Sequence, residues 1–480
     1  MKKDLPGESG INRRKFLGST AMAAAGFSLA PRHVLGGPKF VAPSEKINLA
    51  IIGCGGQGRT NARNLFGHDD VQIIAIADPI ENHNLDGFYY KGVAGRLPVK
   101  AEIEKKYSAK NPNFKVADYE DFRVMLEKEK AIDAILCATP DHLHAYVCVN
   151  AMRQGKHTYC EKPLTHNVWE ARLVAKVAKE TGVATQLGNQ GHSDEGIRLT
   201  CEWIWAGAIG EIREVHAWTS ASRWNKKHLG GRPPAEPVPA GVNWDLWLGP
   251  RADRPYSSIY SPVSWRDFWD FGTAPIGDFF CHNFDPALWA LDLNAPASIE
   301  ASAAGGVDPY IAPVGGLYTY HFPAREHSTT KQKMPPVKFM WYEGGLMPPR
   351  PESLEDDDQL GAGGNGILFV GEKGMITCPG WAGNPRLLPG SKMDGFQRPP
   401  KTLPRSKGHH RDWLNAIKGG PPASANFEYG AVLSEIGLLG LVAMRVGKKM
   451  RWDAQAMKSP NVPEADKYLK GSYRPGWEIT

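Results

Sequence analysis

The stretch "KINLAIIGCGGQGRTNARNLF", Lys46 to Phe66, restricts the possible folds more than any other part of the chain. An apolar run reaches Gly53, and Gly53, Gly55 and Gly58 then follow GxGxxG spacing at the mouth of a helix. A tight strand-to-helix turn needs residues without a Cβ, and the bare amides at the helix N-terminus favour a pyrophosphate. A second apolar run, "VQIIAIAD" (71–78), ends on Asp78, 20 residues beyond Gly58. An acid there suits the adenosine ribose hydroxyls and repels a 2'-phosphate, so NAD is expected and NADP is disfavoured. GxGxxG alone is a weak signal in a chain with 52 glycines, since an open α/β domain with a closely packed turn carries it too.

Two further segments extend the pattern. "AIDAILCATP" (131–140) reads as a buried strand closing on Thr139 and Pro140, and "DHLHAYVCVNAMRQGKH" as the next helix, stopped by Gly155. "HTYCEKP" then reads as a strand ended by Lys162 and Pro163. Ligands bind outside the C-terminal edge of such a sheet. Much later, "GDFFCHNFD" (277–285) sets Asp278 and His282 one helical turn apart in apolar company. On spacing alone the two are as well explained by a buried, mutually satisfied pair as by a site. Pro286 would clash with the carbonyl of residue 282 in a continuous helix, so a kink or break is expected, with Asp285 as N-cap and Pro286 at the first helical position.

Length narrows the architecture: 480 residues with 42% apolar and 22% charged content are expected to form two globular domains. "NRRKFLGST" (12–20), followed by a short, weakly apolar stretch, has the layout of a twin-arginine export leader over residues 1–37. Removing it takes the formal charge from +6 to +2, which leaves no electrostatic footprint for nucleic acid. No later segment of about 18 apolar residues is present to span a bilayer. The seven cysteines show no CxxC spacing and read as small buried hydrophobes, and His409 and His410 lack a partner at metal spacing, so no metal centre is expected.

The units "GCGGQG", "ATPDHLHAYVCVNAMRQGKHTYCEKP" and "GDFFCHNFDPALWALDL" together resemble the Gfo/Idh/MocA family of dinucleotide-dependent sugar and polyol oxidoreductases, from Lys46 to about Asp453. The resemblance implies an α/β chain: an N-terminal Rossmann dinucleotide-binding domain (46–168), then a C-terminal α/β domain with an open, mostly antiparallel sheet (169–455, with a core helix at 428–446) and a tail (456–480). It implies a cofactor wall of Gly53, Gly55, Gly56, Gln57, Gly58, Asp78, Thr139, Pro140, His144, Glu161 and Lys162. It further implies that Lys162 lies beside the nicotinamide, that Asp278 and His282 complete the catalytic site, and that the chain forms a homo-oligomer, a dimer or tetramer.

Substrate contacts are expected from Asn189 and His192, in the loop of the strand–loop–helix–strand pattern at 185–220, and from Trp224 or Trp265. A loop held by its own polar groups explains the first two equally well. The Pro/Gly-rich stretches 230–262 and 343–366 read as long loops at the rim of a pocket or a subunit contact.

The expected function is NAD-dependent oxidation of a secondary hydroxyl, at C3, of a sugar or glycoside, in the periplasm. His282 would be the base, Lys162 would steady the oxygen, and Asp278 would orient His282 or grip a neighbouring hydroxyl. Because the periplasm offers no ready dinucleotide, the cofactor is expected to be tightly held and recycled in place. Two alternatives stand beside this: redox-assisted glycoside cleavage, in which C3 oxidation acidifies the C2 proton, and a non-catalytic sugar or nucleotide sensor.

Overall fold

The computed structural model describes residues 45–228 and 230–480; the expected leader, 1–37, lies outside the described residues. The first sheet contains β1 (Ile47–Ile52), β2 (Val71–Ala77), β3 (Ala117–Tyr119), β4 (Ala134–Cys137), β5 (His157–Glu161) and β6 (Thr185–Gly188). Its strand order is β3-β2-β1-β4-β5-β6, parallel throughout. This is the doubly wound order, whose crevice opens between β1 and β4. Both faces of β1 and β4 are covered, which is why their sequences are near-continuous apolar runs.

Five helices wind around this sheet: α1 (Gly56–Leu65), α2 (Arg96–Ser108), α3 (Phe122–Lys128), α4 (Asp141–Arg153) and α5 (Val168–Thr181). Gly155, at φ +73°, follows α4 where the sequence predicts its stop. Asn167 caps α5 by accepting from the amide of Glu170 (3.0 Å). The sheet runs past residue 168, where the sequence reading ends the first domain, because α5 and β6 add one more parallel unit to it.

After α6 (Glu195–Trp205) the chain builds an eight-stranded sheet from β7 (Ile212–Thr219), β8 (Ser298–Ala304), β9 (Gly315–Phe322), β10 (Val337–Glu343), β11 (Asn365–Gly371), β12 (Gly374–Pro379), β13 (Arg386–Leu388) and β14 (Met450–Arg451). The order is β13-β12-β11-β7-β10-β9-β8-β14, and only β7 and β10 run parallel. The expected open, mostly antiparallel sheet is therefore present.

Between β7 and β8 lie α7 (Ala274–Asn283) and α8 (Asp285–Leu291), broken at Phe284. The break occurs where Pro286 requires it, but Asp285 is not the cap: it is the first residue of α8, and its buried carboxylate points elsewhere.

The last long helices are α9 (His409–Ile417) and α10 (Phe427–Val446). α10 is long and apolar enough to cross a membrane, yet most of it is buried against α5, α7 and β8 as a core helix. A Cβ at Gly440 would lie 2.1 Å from the Tyr320 hydroxyl, so only glycine permits that approach. α9 returns to the first domain, where Trp413 and Leu414 complete the apolar layer beneath β1, β2 and β4.

Candidate active site

A cleft lies at the crevice of the first sheet. Gly53, Gly55, Gly56 and Gln57 form one side, Thr139, Pro140 and His144 the next, and Glu161 and Lys162 the floor. Trp265 and Arg266 of the second domain face them. Gly53 has φ +91°, and a Cβ there would sit 2.5 Å from the carbonyl oxygen of Ala138. A Cβ on Gly58 would collide with the Gly53 carbonyl oxygen at 1.9 Å, whereas Gly55 faces open space. The turn is thus closed to side chains on its packed side and open toward the cleft, and no side chain caps α1, as a pyrophosphate requires. Asp78 accepts from the amides of Cys54 (2.6 Å) and Ile80 (2.8 Å), which fixes its carboxylate at the cleft wall. Burial raises its pKa, partly offset by His83 and these amides.

Behind the turn, Glu161 gathers α1 onto the sheet. Its Oε1 accepts from Asn61 (2.8 Å), Gln57 (3.1 Å) and Gln190 (3.3 Å). His144 places its ring nitrogens 2.7 Å from the Pro163 carbonyl and 2.9 Å from that of Thr139, tying the Lys162-Pro163 corner to β4. Sequence reasoning missed the residues that cover the turn. The ring of Tyr90 lies over Gly56, and its hydroxyl donates to Gln57 Oε1 (3.1 Å). Arg59, 6% exposed, donates to the carbonyls of Val93 (2.8 Å), Tyr90 (2.8 Å) and Lys91. This strap leaves a void of about 110 Å³, below the ~300–1,000 Å³ usual for ligand pockets, so a dinucleotide requires Tyr90 to move off Gly56. The aromatic pair in "FYYKG", within a loop after β2, is the sequence signal that could have found it.

The two domains meet at Lys162. Its Nζ donates to the main-chain carbonyl of Asp278 (2.8 Å) and to the Asp278 carboxylate. Arg266 Nε lies 3.5 Å from the other carboxylate oxygen. Burial works to depress the Lys162 pKa, but the Asp278 carboxylate outweighs it and leaves the amine raised. For Asp278, burial is likewise overcome by Lys162 and Arg266, which hold the carboxyl well below its usual range. One turn further on, His282 is 5% exposed, its Nδ1 has no partner and its ring centre lies 5.4 Å from that of Trp381. Burial, reinforced by the Lys162 charge, drives the His282 pKa far down. Asp278 and His282 form no part of the wall of the void itself; Lys162 connects Asp278 to it.

The expected substrate contacts divide. Trp265 lines the cleft, with the Arg266 guanidinium 4.3 Å above its ring. Trp224 is 37% exposed and stacks on Tyr89, next to Tyr90. Asn189 and His192 are buried outside the cleft wall and serve Asp285, which accepts from Asn189 Nδ2 (2.8 Å), His192 (2.9 Å) and the Tyr429 hydroxyl. Of the two Pro/Gly-rich stretches, the first supplies Trp247 and Pro262 to the cleft and the second supplies nothing to it. All seven cysteines are buried and free; the fold brings Cys137, Cys148 and Cys160 together from β4, α4 and β5, a clustering their spacing does not reveal. His409 is buried against Ser193 Oγ (2.8 Å) and the Leu187 carbonyl (2.8 Å).

Residues 47–189 match the oxidoreductase family with an NAD-binding Rossmann fold, and residues 212–310 its C-terminal α/β domain. Among curated proteins, the chain is 28% identical over 193 residues to scyllo-inositol 2-dehydrogenase (NAD(+)) of Bacillus subtilis, covering 40% of this chain and 47% of that protein. It is 27% identical over 258 residues to a glycosyl hydrolase family 109 protein of Stenotrophomonas maltophilia, covering 53% and 50%. The chain thus spans about half the length of the curated relatives it matches. Its fold is similar to that of the WlbA dehydrogenase of Bordetella pertussis, solved with NADH and UDP-GlcNAcA, at TM-score 0.52 and 17% identity, over 85% of this chain and 99% of that one. Levoglucosan dehydrogenase, solved with NADH and L-sorbose, gives TM-score 0.52 and 16% identity over 85% and 99%. The glycine turn with its acid, the Glu-Lys-Pro corner and both matched domains place this chain in the Gfo/Idh/MocA oxidoreductase family.

Proposed function

We propose that the chain is an NAD-dependent oxidoreductase acting on a secondary hydroxyl, C3 by preference, of a sugar or glycoside. The observation that carries the proposal is the junction of Lys162 with Asp278 at the mouth of the glycine turn. NAD, when bound, supplies a hydride acceptor at its nicotinamide ring. The turn, Asp78 and the Thr139-Pro140 edge would hold it, with Asp78 favouring NAD over NADP. An ammonium carries three donors; two of those on Lys162 go to Asp278, and the third is left to steady a substrate oxygen as it gains charge. His282, kept neutral by burial, is in the state that accepts the hydroxyl proton. Asp278 fixes the amine between them.

The test is a mass spectrum of the small molecule retained by purified protein, then a panel of sugars and glycosides followed by NADH absorbance. NAD on the protein and a ketosugar product support the reading; an empty cleft that no dinucleotide fills sinks it. A second reading, redox-assisted glycoside cleavage, draws support from the similarity to glycosyl hydrolase family 109 proteins. It predicts free sugar and aglycone with no net NADH.

The same proposal includes export through the twin-arginine leader with the cofactor already loaded, which fractionation of producing cells tests. It also includes a dimer or tetramer, which sedimentation measures.

A further inference from the structure

A second cavity, of about 530 Å³, shares no lining residue with the dinucleotide cleft. It lies between the N-terminus of α5, one face of α10 and the C-terminal segment 467–472. Leu438, Leu441 and Val442 give it an apolar floor, and Arg251, Arg445, Lys467 and Lys470 converge on it. The one carboxylate in its lining, Asp270, is occupied by Arg254 at 2.5 Å.

Among the described residues Arg445, Lys467 and Lys470 make no ion pair and no side-chain hydrogen bond. Their charges rest on rings instead: Arg445 lies 5.3 Å from the Trp269 centroid and 4.0 Å from that of Tyr468, Lys467 is 4.7 Å from Tyr468, and Lys470 is 4.2 Å from Trp169. Arg251, 6% exposed, has its nearest carboxylate oxygen, on Glu170, at 3.6 Å, and that group already accepts from Tyr473. Two buried donors in the same wall, Arg251 Nε and the Nδ2 of Asn167 (5% exposed), have no acceptor. Buried donors are costly while they stay unmet, as Arg251 Nε and Asn167 Nδ2 do here, whereas the exposed lysines hold their charge at the solvent side of the cavity.

We propose that this cavity binds a small anion carrying at least two negative charges on neighbouring oxygens, of the phosphate-ester or polycarboxylate class. The cation–π contacts hold Arg445 and the lysines in place for it, and the Asn167 and Arg251 donors supply direction that a diffuse ionic atmosphere lacks.

The experiment uses the full chain saturated with NAD, so that the glycine turn is not open to phosphate, and titrates inorganic pyrophosphate by calorimetry. Citrate and glucose 6-phosphate form parallel arms that separate phosphate from carboxylate sources, and sodium chloride at equal ionic strength is the control. Saturable binding in at least one arm, weakened at least about tenfold in the double variant Lys467→Gln/Lys470→Gln and in Arg445→Gln, is expected. The lysine pair is exposed, so its replacement leaves the fold intact and turnover unchanged. Heat no larger than with sodium chloride, or a lysine variant that binds as the parent does, overturns the proposal. If the chain does not take up NAD, the lysine comparison still decides the matter, because neither lysine lies in the cleft.

Discussion

Lys162, at the end of β5, and Asp278, in α7, are 116 residues apart in sequence, yet the lysine Nζ bonds both the main-chain carbonyl and the carboxylate of the aspartate. One residue thus closes two hydrogen bonds across the domain boundary at the cleft where the proposed chemistry occurs. The pair is largely buried, with side chains 16% and 12% exposed, so its charges act in a medium that screens them poorly.

Asp278→Asn leaves the buried Lys162 ammonium facing Arg266 without a counter-charge and should cost about 3–5 kcal/mol of stability. Urea unfolding at neutral pH measures this. The Asp278 pKa is depressed in the fold, so its contribution is complete above the ordinary carboxylate value of about 4 and is lost as pH falls below it. The variant should therefore show a shallower loss of stability on acidification than the parent.

His282 has its pKa pushed well below the usual histidine value, so its neutral, proton-accepting form persists as pH falls past about 6.5. The acid limb of kcat/KM is expected to lie below that point. His282→Asn should lower kcat ~10²- to 10⁴-fold, as loss of a general base does. A pH–rate profile with its acid midpoint at 6.5 or above contradicts the assignment.

Arg59 grips three carbonyls of the strap that lays Tyr90 over Gly56. Cutting that grip with Arg59→Ala removes charge-assisted hydrogen bonds worth ~1.5–3 kcal/mol each from the state that covers the turn, so dinucleotide should enter at least about tenfold faster. Uptake of a fluorescent NAD analogue by cofactor-stripped protein gives the rate.

Asp285 is fully buried with three donors trained on it. Asp285→Ala should lower stability by several kcal/mol, since each stranded donor costs ~1–3 kcal/mol. Asn189→Ala and His192→Ala should lower the melting temperature while leaving KM for the sugar within about twofold. A selective rise in KM would restore them as substrate contacts.

All seven thiols are buried, so a disulfide reagent of Ellman type should find none in the native chain and seven after denaturation. Rapid reaction of even one native thiol contradicts the packing.

The features legible in the sequence are those set by local geometry. The glycine turn, Asp78, the stop at Gly155 and the break before Pro286 each follow from what a few consecutive residues permit. Lys162 and Asp278 could be nominated because the family pattern joins them, and the fold brings them into contact. What was not legible depends on distant partners. Asp285 looked like a helix cap because Pro286 follows it, but Asn189, His192 and Tyr429, 96, 93 and 144 residues away, claim its carboxylate. Asn189 and His192 looked like binding groups because they sit in a loop; the same carboxylate explains them. A domain end at 168 follows from the sequence because a short strand after a helix, Thr185–Gly188, reads alike whether it closes one sheet or opens another. Arg59 gave no sign of its role, since its acceptors are backbone carbonyls and carry no residue signature.

The lower layer of the first sheet is sealed by Trp413 and Leu414, and Arg411 clasps Asp70 at 2.7 Å. A nascent chain emerging from the ribosome cannot finish its leading half until more than two hundred further residues have been made. Excising residues 45–189 as a stand-alone nucleotide binder would leave that oily underside wet, and the fragment should clump unless the returning helix is supplied in trans.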